Sequence, residues 1–176
     1  MLQKCSIWNI AEIFFKEPTK QHYLIEISKK AKLAHTSVKK HLEALKEEGI
    51  INEIKEKRGK RTFPVYKADL ENKEYRHYKK LSNLEKIKTL ADFINDELMP
   101  KNIILFGSYS RGEDAEDSDI DLFLECCEQK IDLSKFEKEL NRNIQLHFKP
   151  NFKDYPKELK NNIINGIVLH GYLEAF

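Results

Sequence analysis

The chain contains no apolar run approaching the roughly 18 residues that a membrane-crossing helix needs, so no membrane segment is expected. Cysteine is scarce: Cys5, Cys126 and Cys127 make an odd count without metal-ligand spacing, and the last two are adjacent, a poor arrangement for a disulfide. That excludes a secreted disulfide scaffold or a cysteine-rich zinc module and makes a reducing cytoplasm the expected location. Cys126 and Cys127 read as buried small residues. Met1 to Ile10 holds one lysine in a short mixed segment, which does not read as a signal peptide. A large excess of one charge is also missing, since 31 Lys and Arg face 29 Asp and Glu for a net +2. With 40% hydrophobic and 10% aromatic residues, wholesale disorder is excluded. A chain of 176 residues can form one domain or two small ones.

The near-zero net charge hides a split. Residues 1–90 carry 21 basic and 12 acidic residues, whereas residues 91–176 carry 10 and 17. Such asymmetry suggests two modules, a basic one suited to a polyanion and an acidic one suited to metal ions. Two solvated faces of a single Lys/Glu-rich domain would produce the same numbers.

In the basic half, Ile7, Ile10, Ala11, Phe14 and Phe15 recur at helical spacing, and Glu17-Pro18 ends that helix. A second helix is expected over Tyr23–Ala31, and a third from about Thr36 to Glu48 with Val38, Leu42 and Leu45 inward. Gly49 suits the end of the third. Two strands follow around an Arg58-Gly59-Lys60 turn, and Pro64 suggests that the second is an edge strand. Three helices and a basic hairpin over Leu2–Leu70 resemble the winged helix-turn-helix domains of archaeal and bacterial transcription regulators. The resemblance implies DNA binding: Thr36, Ser37, Lys39 and Lys40 at base edges, and Lys57, Arg58, Lys60 and Arg61 on phosphates. A winged helix used for protein contacts or homodimerisation is the other reading. Residues 71–83 lack Gly and Pro and read as a helical connector. The domains are therefore expected at 1–70 and 84–176.

In the acidic half, Leu84, Ile87, Leu90, Ala91, Ile94 and Leu98 form a helical stripe. Asn102–Phe106 is a short apolar run suited to a buried strand, followed at once by Gly107-Ser108. Ten residues later comes Asp119-Ile120-Asp121-Leu122; alternation on a strand places both carboxylates on one face. Paired carboxylates suit a hard cation that also meets substrate phosphates. Gly107 allows close backbone approach, and Ser108 offers a hydroxyl and a backbone N–H at a helix start.

This strand, Gly-Ser, Asp-x-Asp arrangement closely resembles the signature of the polymerase-beta-like nucleotidyltransferase superfamily, in particular its minimal branch. The matching residues are Leu105, Phe106, Gly107, Ser108, Arg111, Gly112, Ser118, Asp119, Ile120, Asp121 and Leu122. The expected fold is α+β: the winged helix, then a nucleotidyltransferase α/β domain with a mixed sheet. The resemblance implies that Gly107, Ser108 and Arg111 bind the nucleotide. It implies that Asp119 and Asp121 are catalytic and ligate two Mg²⁺ (or Mn²⁺) ions, and that an NTP, ATP first among them, donates a nucleoside monophosphate. The family's third carboxylate would fall on the strand Ile144–Phe148, where this chain has Gln145. His147 shares that parity and is available as a base or ligand, or is an ordinary half-exposed strand histidine. Glu125 lies two steps beyond Asp121, a poor replacement. Gly166 is expected to cap a helix over Pro156–Asn165.

A compact domain of this kind, without a further substrate domain, resembles antitoxin-like members that pair with a small helical HEPN protein. The expected function is therefore a metal-dependent nucleotidyltransferase with an unknown acceptor. The alternative is a non-catalytic DNA-binding regulator or antitoxin-like protein whose second domain binds nucleotide or a partner.

Overall fold

The computed structural model describes residues 5–174. Residues 1–4, at the start of the first expected domain, and 175–176, at the end of the second, lie outside the described residues. The chain divides into two compact units, Met1–Lys79 and Lys80–Phe176.

In the first unit, α1 (Ser6–Lys16), α2 (Leu24–Ala31) and α3 (His35–Glu47) stand beside a three-stranded antiparallel sheet. Its strands are β1 (Gln21–Tyr23), β2 (Ile51–Arg58) and β3 (Arg61–Ala68), in the order β1-β3-β2. Helical spacing places Ile10, Phe14, Ile27, Val38 and Leu42 in one core, closed by Ile51 and Tyr66 of the sheet. Gly49, at φ +70°, turns the chain from α3 into β2. The long helix α4 (Lys73–Leu98) begins in this unit, and the segment read as a connector is its first part. Tyr75 is buried there, its hydroxyl donating to Phe14 O at 3.0 Å.

Two details differ from expectation. The three-residue strand β1 has no counterpart in the sequence reading, because three residues are too few for alternation to register. It makes β3 a central strand. Pro64 is tolerated because β1 stops opposite Val65, leaving Pro64 paired only with Lys55 of β2.

The second unit is a four-stranded mixed sheet in the order β6-β5-β4-β7. Its strands are β4 (Asn102–Phe106), β5 (Ile120–Leu124), β6 (Ile144–Phe148) and β7 (Ile167–Gly171). Only β5 and β6 run parallel; β4 is antiparallel to both of its neighbours. All five residues of β4 are buried, because both faces of the sheet are covered. Ile103, Leu105, Leu122 and Leu124 pack with Leu90 and Ile94 of α4 and Phe136 of α6 (Ser134–Leu140). Ile104, Phe106 and Phe123 pack on the opposite side with Phe152, Tyr155 and Ile163 of α7 (Lys157–Ile164). Strand alternation thus sorts neighbouring residues into two separate cores.

Gly166 has another role than the expected cap, for Asn165 caps α7. A Cβ at Gly166 would lie 2.5 Å from Leu105 O and 2.7 Å from Ile104 Cγ2, so a side chain is excluded by the closeness of β4. Nor are both adjacent cysteines buried: Cys126 is half-buried and Cys127 exposed, because β5 has ended and the chain has left the sheet. Burial pushes the Cys126 thiol up, away from the reactive thiolate.

Candidate functional site

The turn from β4 into the one-and-a-half-turn helix α5 (Gly107–Arg111) carries Gly107 and Ser108. Gly107 has φ +75°, and a Cβ there would lie 2.4 Å from Asp121 Oδ2. Both facts require glycine, one for backbone conformation and one for space. The Asp121 carboxylate therefore rests directly against the backbone of the Gly-Ser turn. This follows from antiparallel pairing, which sets Phe106 opposite Asp121.

Asp119 lies one residue before β5, and Asp121 is its second residue. The parallel register sets Asp121 opposite Gln145. The Gln145 side-chain amide donates to Asp119 Oδ2 at 2.5 Å, and the Asn143 amide donates to Asp119 Oδ1 at 3.1 Å. His147 Nε2 stands 3.3 Å from Asp121 Oδ1 and edge-on to the Phe106 ring. Both carboxylates thus share one face of the sheet with Gln145 and His147.

Ser108 is half-buried, and its carbonyl accepts the Glu113 backbone N–H at 3.1 Å. Ser110 Oγ donates to Gly107 O at 2.8 Å, stiffening the turn. Arg111 is exposed and paired with Glu113 at 2.7 Å; it would have to leave that partner to meet a phosphate. Glu125 is buried and engaged elsewhere: one oxygen accepts the Asn102 amide, the other the Phe152 N–H at 3.3 Å.

Sequence reading missed the residues that hold this loop. Asn83 of α4 donates to Tyr109 O at 2.9 Å and to Asp114 Oδ1 at 2.8 Å. Arg142 reaches Asp114 Oδ2 at 3.5 Å, both side chains being almost wholly buried. This network ties α5 and the loop after it to α4 and to the start of β6. Its one sequence signal is the polar pair Ser82-Asn83 inside a helical segment, which resembles any exposed helix surface until the fold buries it. A cleft of about 380 Å³ is lined by Ser118, Lys138, Arg142 and Asn143 among others.

The donor set fits one hard cation. Two carboxylates from successive same-face positions, with a backbone turn against one of them, leave room for phosphate oxygens to complete the shell. Among the described residues no group of three His, Cys, Asp or Glu side chains is placed to hold a metal. The position opposite Asp121 presents an amide N–H.

In the first unit, Thr36, Lys39 and Lys40 are exposed on the first turns of α3, with Ser37 half-buried. Lys57, Arg58, Lys60 and Arg61 are exposed around the β2–β3 tip, where Arg58 pairs with Arg61 and Gly59 takes φ +60°. Arg58 is held there, its guanidinium 4.8 Å above the Tyr23 ring and its Nε donating to Glu56 at 3.1 Å.

No helix among the described residues is long and apolar enough to cross a membrane. No curated protein matches the chain. Residues 84–170 match the family model described as a nucleotidyltransferase domain, so the second unit, with its mixed sheet, Gly-Ser turn and paired aspartates, is similar to nucleotidyltransferase domains.

Proposed function

We propose that the second unit binds a nucleoside triphosphate with a divalent cation and transfers its nucleoside monophosphate to an acceptor hydroxyl, releasing pyrophosphate. The observation that carries this reading is the packing of the Asp121 carboxylate on Gly107, 2.4 Å from where a Cβ would stand, within a segment that matches the nucleotidyltransferase family. Asp119 and Asp121 hold the cation, Mg²⁺ or Mn²⁺. When bound, the cation offsets negative charge on the reacting phosphate. The Gly107-Ser108 backbone faces the triphosphate, while the Asn83–Asp114–Arg142 network keeps that turn in place. ATP is the first donor to test.

The first unit is proposed to be a winged helix that binds duplex DNA, with Thr36, Ser37, Lys39 and Lys40 of α3 facing base edges and Lys57, Arg58, Lys60 and Arg61 on phosphates. A second reading, a regulator that binds nucleotide without transferring it, is favoured by Gln145 standing opposite Asp121.

The test is Mg²⁺-dependent binding and turnover of the four labelled NTPs by the full chain, with and without nucleic acid or a candidate HEPN-type partner. The Asp119→Ala/Asp121→Ala double variant is assayed alongside. Label transfer lost in the variant is the expected result. Binding lost in the variant, with no transfer by either protein, would establish the nucleotide-binding regulator instead. Turnover retained in the variant would overturn both readings.

A further inference from the structure

The hydrogen bonds around Asp119 bear on how many cations the site holds. Asn143 donates to Oδ1 and Gln145 to Oδ2, so an amide N–H occupies one lone-pair direction of each oxygen. Only the N–H end of a carboxamide can face a carboxylate, so the Gln145 carbonyl points away from Asp119. A cation on the β6 side of Asp119 would therefore meet the positive end of an amide dipole. Among the described residues the register position opposite Asp121 is Gln145, which offers it no anionic ligand. The remaining side chain on that side is His147, a nitrogen donor already 3.3 Å from Asp121 Oδ1, and hard cations such as Mg²⁺ favour oxygen. On the opposite side Asp121 lies against the Gly107 backbone, and each Asp119 oxygen keeps a second lone pair.

We propose that this site takes a single divalent cation with its nucleotide, on the Gly107 side of Asp119 and Asp121, and that the Gln145 amide stands where a second cation would otherwise be held. Gln145 is a positioning residue: it orients Asp119 by a charge-assisted hydrogen bond instead of contributing a charge. The inference rests on the nucleotide-binding reading above and specifies its metal content. It also assigns Asn143, which lines the neighbouring cleft, the same orienting role on the other oxygen.

The experiment counts Mn²⁺ bound to the full chain by electron paramagnetic resonance, in the presence of a saturating non-hydrolysable ATP analogue. One tightly bound Mn²⁺ per chain is expected, falling to none in Asp121→Ala. Gln145→Asp restores a carboxylate in register with Asp121 and is expected to raise the count to two; Gln145→Ala should leave it at one. Gln145 is exposed, so neither change threatens folding, and circular dichroism verifies this. Two ions in the wild type would overturn the single-cation inference and leave the nucleotide reading standing. One ion in both the wild type and Gln145→Asp would overturn the role given to Gln145. Analogue binding without any Mn²⁺, or no analogue binding, would overturn the inference together with the reading beneath it.

Discussion

At the scale of single residues, the fold puts groups to work that the sequence shows only as composition. His22 is one. It sits on β1, 2% exposed and edge-on to Phe14 with ring centroids 5.4 Å apart; its Nε2 stands 3.6 Å from Glu17 Oε2 and has no hydrogen-bond partner among the described residues. Burial lowers its pKa below the ordinary value near 6.5, and the Lys30 charge lowers it further; Glu17 and Glu26 oppose this without reversing it. Glu17 is itself desolvated, which raises its pKa, yet hydrogen bonds from Lys20 and Lys30 and their charges hold it at about 2. It therefore stays a carboxylate throughout the range in which His22 titrates. Between the folded and unfolded pKa values of His22, the unfolded chain binds a proton that the folded one does not. Stability is then full above about pH 6.5, falls as pH drops through that window, and levels off below the folded value. The prediction is a denaturation midpoint that declines as pH falls below about 7, with a slope that His22→Phe flattens. An unchanged slope in that variant would assign the dependence to another group.

At the scale of elements, legibility followed length and the number of covered faces. α1 was readable because five apolar positions recur at helical spacing and Pro18 ends the run. β4 was readable because a strand covered on both faces is apolar throughout. The Gly-Ser and Asp-x-Asp positions were legible because turn and alternation are local. β1 was not, and neither was the Asn83–Asp114–Arg142 network, since its members come from three separate segments and only the fold brings them together. Gly166 lies between these cases: its position near a helix end was plain, its reason was not. That reason separates two glycines experimentally. Gly166 has no left-handed backbone, but a Cβ would press on Leu105 O at 2.5 Å. Gly59 has φ +60° with nothing within 4 Å of its Cβ position. Alanine at Gly166 is predicted to cost about 1–3 kcal/mol by overpacking, and alanine at Gly59 about 1–2 kcal/mol through backbone conformation. Asparagine, which tolerates the left-handed region, should recover much of the loss at Gly59 and worsen it at Gly166. Denaturant midpoints of the four variants measure this directly, and recovery by asparagine at both positions would show that the contact between Gly166 and β4 is not what excludes a side chain.

For the whole molecule the governing quantity is the charge of each unit. The first, Met1–Lys79, holds 18 basic and 11 acidic residues, and the second holds 13 and 18, so the small net charge of the chain is a difference between unlike parts. A polyanion is drawn to the first and repelled by the second, which favours binding to the full chain through one unit only. If that polyanion is duplex DNA, each phosphate neutralised releases counterions, and the logarithm of the affinity falls with the logarithm of salt by about 0.9 per contact. Lys57, Lys60 and Arg61 are exposed around the hairpin tip and, unlike Arg58, make no ion pair among the described residues. Replacing these three with alanine is predicted to shrink the salt slope by about 2.7 if all three reach phosphates. The loss should be the same on any duplex sequence, because phosphate contacts carry no base information. Lys39→Ala and Lys40→Ala on α3 should instead weaken one sequence more than another. The comparison is an anisotropy titration of the full chain from low to moderate salt, with the triple variant Lys88→Ala/Lys130→Ala/Lys157→Ala, exposed lysines of the second unit, as a charge-matched control. An equal slope in the hairpin variant and the wild type would remove the hairpin from the DNA interface. Equal loss in that second-unit control would mean that overall charge, rather than a docked first unit, holds the DNA.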